Sequence, residues 1–158
     1  MAIWLMKSEL DVYPWSQLVE DGKTHWDGVR NYQARNFMRD SMKKGDLVLY
    51  YHSNCKPPHV AGIAKVVREG YPDHTSWDPN SKYMDEKSTP ESPRWFMVDI
   101  APVAEMELVS LDALRQNGDL EGMALLARGQ RLSVQPVEEE HFRIVCQMGG
   151  IDSTSLGR

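Results

Sequence analysis

The sequence predicts an α+β fold: a small, mostly antiparallel β-barrel wrapped by helices. Three observations predict it. Short apolar runs of strand character recur along the chain. Short segments with helical apolar spacing interleave with them. The 158 residues show no internal repeat and no linker, and they suffice for one hydrophobic core.

Taken in order, residues 2–6 (AIWLM) read as a buried strand. Trp15, Leu18 and Val19, after Pro14, read as a short helix stopped near Gly22. From Asn31 the apolar positions Ala34, Phe37, Met38 and Met42 fall at helical spacing, with Lys43 and Lys44 suiting a last turn and Gly45 a stop. DLVLYYHS is a strand, NCKPPH a loop, and VAGIAKVVRE a second strand. Residues 70–93, rich in Pro, Asp, Ser and Asn, read as a long loop in which Trp77, Tyr83 and Met84 are too costly to leave fully wet. RWFMVDI is a strand and Val103–Leu108 another. Ser110 suits the cap of a helix through Leu111 and Leu114. Leu120, Met123 and Leu126 predict a further helical turn, and RLSVQP a last strand. Val137, His141, Ile144, Val145 and Met148 recur at helical spacing, with Glu138, Glu139 and Glu140 in the first turn. Residues 1–150 are thus expected to form one domain and 151–158 a disordered tail.

Composition excludes several classes. No apolar run approaches the roughly 18 residues that span a bilayer. IWLM has no basic segment before it, so no signal peptide is expected. Cys55 and Cys146 read as reduced thiols of an intracellular protein. The net charge of −5 argues against a general nucleic-acid coat. Its distribution is uneven: Lys23 to Arg68 carries nine Lys or Arg against three Asp, a net of +6 that leaves −11 elsewhere. A basic face on an acidic body suits local phosphate contact; patchy solvated charge is the plainer reading.

The stretch WDGVRNYQARNFMR, Trp26 to Arg39, carries the most functional information. It gathers Trp26 and Tyr32, the arginines 30, 35 and 39, and the amides Asn31, Gln33 and Asn36. Aromatics offer faces for a base, amides offer paired edges that read one, and arginines offer phosphate partners. No nucleophile elbow, zincin helix, phosphate loop or dinucleotide fingerprint appears. The loop acids Asp73, Asp78 and Asp85 read as solvated, so no catalytic residue is assigned. His52, Cys55 and His59 have the spacing of partial zinc ligands, but Pro57-Pro58 stiffens the loop and no fourth ligand is near; no metal or other cofactor is expected.

WLMKSE, WDGVRNYQARNFMRD, GDLVLYYHSNC, GIAKVVRE with YPD, PRWFMVDI and LLARGQRLSVQPV together resemble the EVE domain, from about residue 2 to residue 146. Leu10 departs from the proline usual after KSE in that family. The resemblance implies a PUA-like fold, similar also to the YTH readers of methylated adenine. It implies non-enzymatic binding of nucleic acid, with a modified base in an aromatic pocket. A modified cytosine in DNA, 5-methylcytosine among them, is the implied ligand, with a modified RNA base as the other possibility. The YTH pattern of a Lys-Ser pair and a downstream cage tryptophan is similar to Lys7, Ser8 and Trp26.

The expected base pocket is therefore Lys7, Ser8, Trp26, Asn31, Tyr32, Tyr50 and His52. Trp26 walls it, or else packs on a barrel rim. Asn31 reads an edge or caps the helix, Ser8 bonds an edge or caps a turn, and Glu9 accepts from a cytosine amino group or forms a surface ion pair. Tyr50 and His52 share one face of their strand and Tyr51 takes the other. Expected phosphate contacts are Arg30, Arg35, Arg39, Lys43 and Arg131, with Arg30 the best placed and the loop Gly129-Gln130-Arg131 touching ligand. The partner is then DNA or RNA, with no membrane and no metal; a monomer in the bacterial cytoplasm is favoured. A PUA-like enzyme or accessory domain acting on RNA or nucleotides, and a protein-interaction module, are the alternatives.

Overall fold

The computed structural model describes residues 1–129 and 131–156. Six strands form one sheet: β1 (Ile3–Glu9), β2 (Thr24–His25), β3 (Leu47–Ser53), β4 (His59–Pro72), β5 (Phe96–Ser110) and β6 (Val134–Pro136). Their spatial order is β2-β5-β4-β3-β1-β6. Only β1 and β3 run parallel, with Met6 opposite Tyr50 and Ser8 opposite His52; the other pairs are antiparallel. IWLM and LVLYYH are continuous apolar runs because these two central strands are covered on both faces.

One face packs Leu5, Leu49, Tyr51 and Ile63 beneath α3 (Leu111–Gln116) and α4 (Glu139–Met148). The other packs Trp4, Met6, Val48 and Tyr50 beneath α1 (Trp15–Asp21) and α2 (Tyr32–Asn36). Local chemistry sets the helix ends as the sequence predicts. Gly22 closes α1 at φ 78°, and Ser110 caps α3 by accepting from Ala113 N–H. The helix from Asn31 turns π-helical over Phe37–Ser41 and stops at Met42, so Lys43 and Lys44 lie beyond it.

The expected closed barrel does not form. Among the described residues no strand pairing joins β2 to β6, and these edge strands hold only two and three residues, too few to zip the sheet shut. The two expected strands 94–100 and 103–108 are one strand, β5, whose register shifts against β4 let both bend without breaking. The segment after Gly150, expected to be disordered, carries a turn of 3₁₀ helix at Ser153–Leu156, with Ile151 and Leu156 against the first core. Met84, expected to be sheltered, is 44% exposed, whereas Trp77 and Tyr83 are half-buried.

Buried Asp46 ties the start of β1 to the end of the helical segment. It accepts from Ala2 N–H at 3.1 Å, Trp4 Nε1–H at 3.0 Å and Lys43 N–H at 2.9 Å. Asp46→Ala leaves these donors without their acceptor and is expected to cost on the order of 3 kcal/mol. Urea unfolding measures this as a lowered midpoint at unchanged slope.

A cleft at the open side of the sheet

A cleft of about 640 Å³ opens where the sheet fails to close. Lys7, Ser8 and Glu9 of β1, with Ser133 beside them, line one side, and Thr24 and His25 of β2 line the other. The cleft thus lies between β2, at one end of the strand order, and β1, next to the other end. The turn from Trp26 to Arg30 forms its back, and Lys82 and Tyr83 close over it.

Trp26 serves the cleft and the core together. It is 8% exposed, its N–H donates to Val98 O at 2.8 Å, and its ring meets Tyr50 edge-on at 5.6 Å. Tyr50 is fully buried, and its hydroxyl donates to Tyr13 O at 2.6 Å. Burial pushes the Tyr50 phenol pKa up. It is therefore the backing of Trp26 and not a second wall, a correction to the expected pocket. His52 is corrected likewise: it lies 2% exposed inside the sheet, and its Nε2 accepts Trp15 N–H at 3.2 Å. Burial, with His59 second, holds the His52 pKa below its ordinary value.

The turn after Trp26 is held by an ion pair. Asp73 is fully buried; its Oδ2 accepts from Gly28 N–H at 2.9 Å and from Arg30 Nη1 at 3.0 Å. Its Oδ1 accepts from Thr75 N–H at 2.9 Å and from the Thr75 hydroxyl at 2.6 Å. Arg30 also gives Nε and Nη2 to Tyr83 O at 2.9 and 2.7 Å, Nη1 to Val29 O and Nη2 to Thr75 Oγ1. All five guanidinium N–H donors have acceptors in this set. Arg30 is thus a latch across the loop, and no donor remains for the phosphate it was expected to hold. Asp73, expected to be solvated, is the latch's anchor. Gly28 sits at φ 78° against the Tyr83 ring, which a Cβ would approach to 2.7 Å, so only glycine lets the ring close on the turn.

The EVE domain family matches residues 2–148. The chain belongs to the EVE domain family. Human thymocyte nuclear protein 1 is 42% identical over 169 residues, covering 92% of this chain and 72% of the human one. A crystal structure from Pseudomonas syringae is similar at TM-score 0.89 and 46% identity, covering 93% of this chain and 99% of that one. Human THYN1 protein in complex with 5-methylcytosine containing DNA is similar at TM-score 0.82 and 40% identity, covering 94% of this chain and 98% of that one.

Of the pocket residues expected from the sequence, this EVE domain brings Lys7, Ser8 and Trp26 to the cleft, together with Arg30. Burial lowers the Lys7 pKa. The Ser8 hydroxyl donates to Tyr13 O at 2.9 Å, closing the turn after β1. Asn31 and Tyr32 lie off the cleft lining. Asn31 is the helix cap, its Oδ1 accepting Ala34 N–H at 3.0 Å. Tyr32 is 47% exposed, stacks on Trp95 at 4.8 Å, and its hydroxyl accepts from Arg94. Arg35 covers the Tyr32 ring at 4.7 Å, donates to Arg94 O and bonds Asn36; Arg39 pairs with Asp40. The Lys43 side chain is exposed, Arg131 borders a different recess, and Gln130 lies outside the described residues. Cys55 Sγ and His59 Nδ1 are 4.0 Å apart, and His59 Nδ1 is already 2.8 Å from Pro57 O.

Sequence reasoning missed Thr24, His25, Tyr83 and Ser133. His25 and Thr24 directly precede Trp26, which was a usable signal. Tyr83 was legible only as a ring needing cover.

Burial raises the Asp73 carboxyl pKa, but bonds from Thr75, Gly28 and Arg30 outweigh it and hold the pKa below the ordinary value. A depressed folded pKa means stability that is present above the unfolded carboxylate pKa, about 3.9, and lost as pH falls through the lower folded value. Asp73→Asn is expected to flatten this acid limb in unfolding followed from pH 6 to pH 2. Arg30→Ala strands a buried carboxylate and is expected to cost about 3–5 kcal/mol, read by urea unfolding at pH 7.

Proposed function

We propose that this EVE domain is a DNA-binding reader of a modified base, with 5-methylcytosine as its ligand. The observation that carries the reading is the likeness, over nearly the whole of both chains, to human THYN1 protein in complex with 5-methylcytosine containing DNA. The cleft suits the role physically. Its volume of about 640 Å³ falls within the usual range of small-ligand sites, roughly 300–1,000 Å³. Trp26 supplies a rigid stacking face, and the half-buried Tyr83 a second aromatic edge. Glu9 and Asp27, both on the lining, are the acceptors suited to a cytosine amino group.

A base in a duplex cannot reach such a wall without leaving its stack. The reading therefore requires the nucleotide to turn out of the strand, which costs a few kcal/mol. Stacking on Trp26 returns roughly 1–3 kcal/mol and accepts any base, so preference must come from the cleft's shape and its acceptors. We read the domain as a binder and not an enzyme: its work is to hold the base, not to change it.

The test is a titration of short matched strands carrying cytosine, 5-methylcytosine or 5-hydroxymethylcytosine, as DNA and as RNA. The 5-methylcytosine DNA is expected to bind tightest. Trp26→Leu keeps an apolar side chain against Tyr50 and is expected to weaken that binding by roughly 10–100-fold, while Trp26→Phe keeps part of it. Thermal melts of both variants separate lost stacking from lost folding. Equal affinity of the wild-type protein for methylated and unmethylated DNA would defeat the reading.

A further inference from the structure

We propose that a second recess, bordered by Lys7, Arg115 and Arg131, holds a backbone phosphate of the strand whose base enters the Trp26 cleft; the strand's identity rests on the base-reading proposal above. The recess is about 300 Å³ and lies beside the cleft, with Lys7 on both linings. Its three cations come from three separate parts of the chain. Lys7 stands on β1, Arg115 in the last turn of α3, and Arg131 just before β6. Ser53 and Asn54 add polar groups, and no carboxylate is on the lining among the described residues. Asn54 on that lining donates its amide to Glu9 at 2.8 Å.

The distribution of unspent donors decides where phosphate is held. All five Arg30 N–H donors go to Asp73, Thr75 and backbone carbonyls, whereas Arg35 gives three to Arg94 O and Asn36 and Arg39 gives two to Asp40. Arg30 stands in the turn before the helix and has no donor to spare, while Arg35 and Arg39, on the helical segment, are each already tied to a neighbour. The side chains of Arg115 and Arg131 are exposed and make no hydrogen bond or ion pair among the described residues. A guanidinium with free N–H donors is matched to a phosphate's oxygens and gives up only water to bind one. The path of the strand is then from the Trp26 cleft, past Lys7 on β1, into this recess, and away from the Tyr32–Trp95 face.

The experiment titrates wild type, Arg115→Gln/Arg131→Gln and Arg35→Gln/Arg39→Gln with 5-methylcytosine and unmodified strands over a series of salt concentrations. The recess variant is expected to bind both strands roughly tenfold more weakly, and equally so. Losing that one phosphate contact is expected to reduce its log–log salt slope by about 0.7 on single strands. The ratio of modified to unmodified affinity is expected to stay as in wild type. The helix variant is expected to change little. Wild-type affinity and slope in the recess variant, or a larger loss in the helix variant, overturn the recess. If wild type shows no preference for the modified strand yet the recess variant still flattens the slope, the base reading falls and the phosphate recess stands. If wild type binds neither strand, both fall.

Discussion

The buried carboxylate of Asp73 joins two stretches of chain that sequence keeps far apart, the turn of 28–30 and its own loop at 73–75. It accepts from the Gly28 backbone, from the Arg30 guanidinium and from Thr75. Arg30 in turn carries the Tyr83 carbonyl, so the loop of 73–83 is pinned over the turn that follows Trp26. Without this pairing a fully buried charge would face no partner, a cost that neither the turn nor the loop could absorb. The positions of Trp26, Gly28 and Tyr83 around the cleft follow from that one requirement. Asp85 extends the clamp by accepting Trp95 Nε1–H at 2.7 Å, which holds the far end of the loop to the start of β5.

The cleft exists because the sheet is left open. Among the described residues the two edge strands, of two and three residues, do not pair with each other, and the cleft lies between β1 and β2. Trp26 stands at this gap with most of its surface in the core and the remainder toward the opening. A ring held edge-on by Tyr50 and by a backbone bond to Val98 has little freedom left to lose when a ligand stacks on it. Under the proposed base-reading role, that preorganisation lowers the cost of holding a base against Trp26.

Much of the fold was legible because local signals agreed with the global arrangement. Pro14 and Gly22 bracket α1, Asn31 and Ser110 cap their helices, and the apolar runs of β1 and β3 mark central strands. The open sheet was not legible, because closure depends on how long the edge strands grow, and two residues of β2 leave no periodic trace. The lining of the candidate cleft was legible in part. Trp26 reaches the cleft with Lys7 and Ser8, in keeping with the residues that carried the family resemblance. Arg30 looked like a phosphate ligand because its partner Asp73 lies 43 residues away in a loop that reads as solvated. Tyr50 and His52 share a face as alternation requires, but both faces of β3 are buried, so alternation alone could not say which side was wet. Charge along the chain likewise shows where cations are, and only tertiary structure shows which of them are already paired.

The proposed mode of binding requires a base of the bound strand to stack on Trp26. Two-dimensional NMR of the five tryptophan indole N–H signals, assigned by substitution, tests it directly as 5-methylcytosine DNA is added. A saturable shift of the Trp26 signal is expected, with the Trp77 and Trp95 signals of the clamped loop and the strand start little changed. Saturable binding that moves Trp95 or Trp77 while leaving Trp26 in place would contradict it, and would put the base on the opposite side of the Arg30 latch.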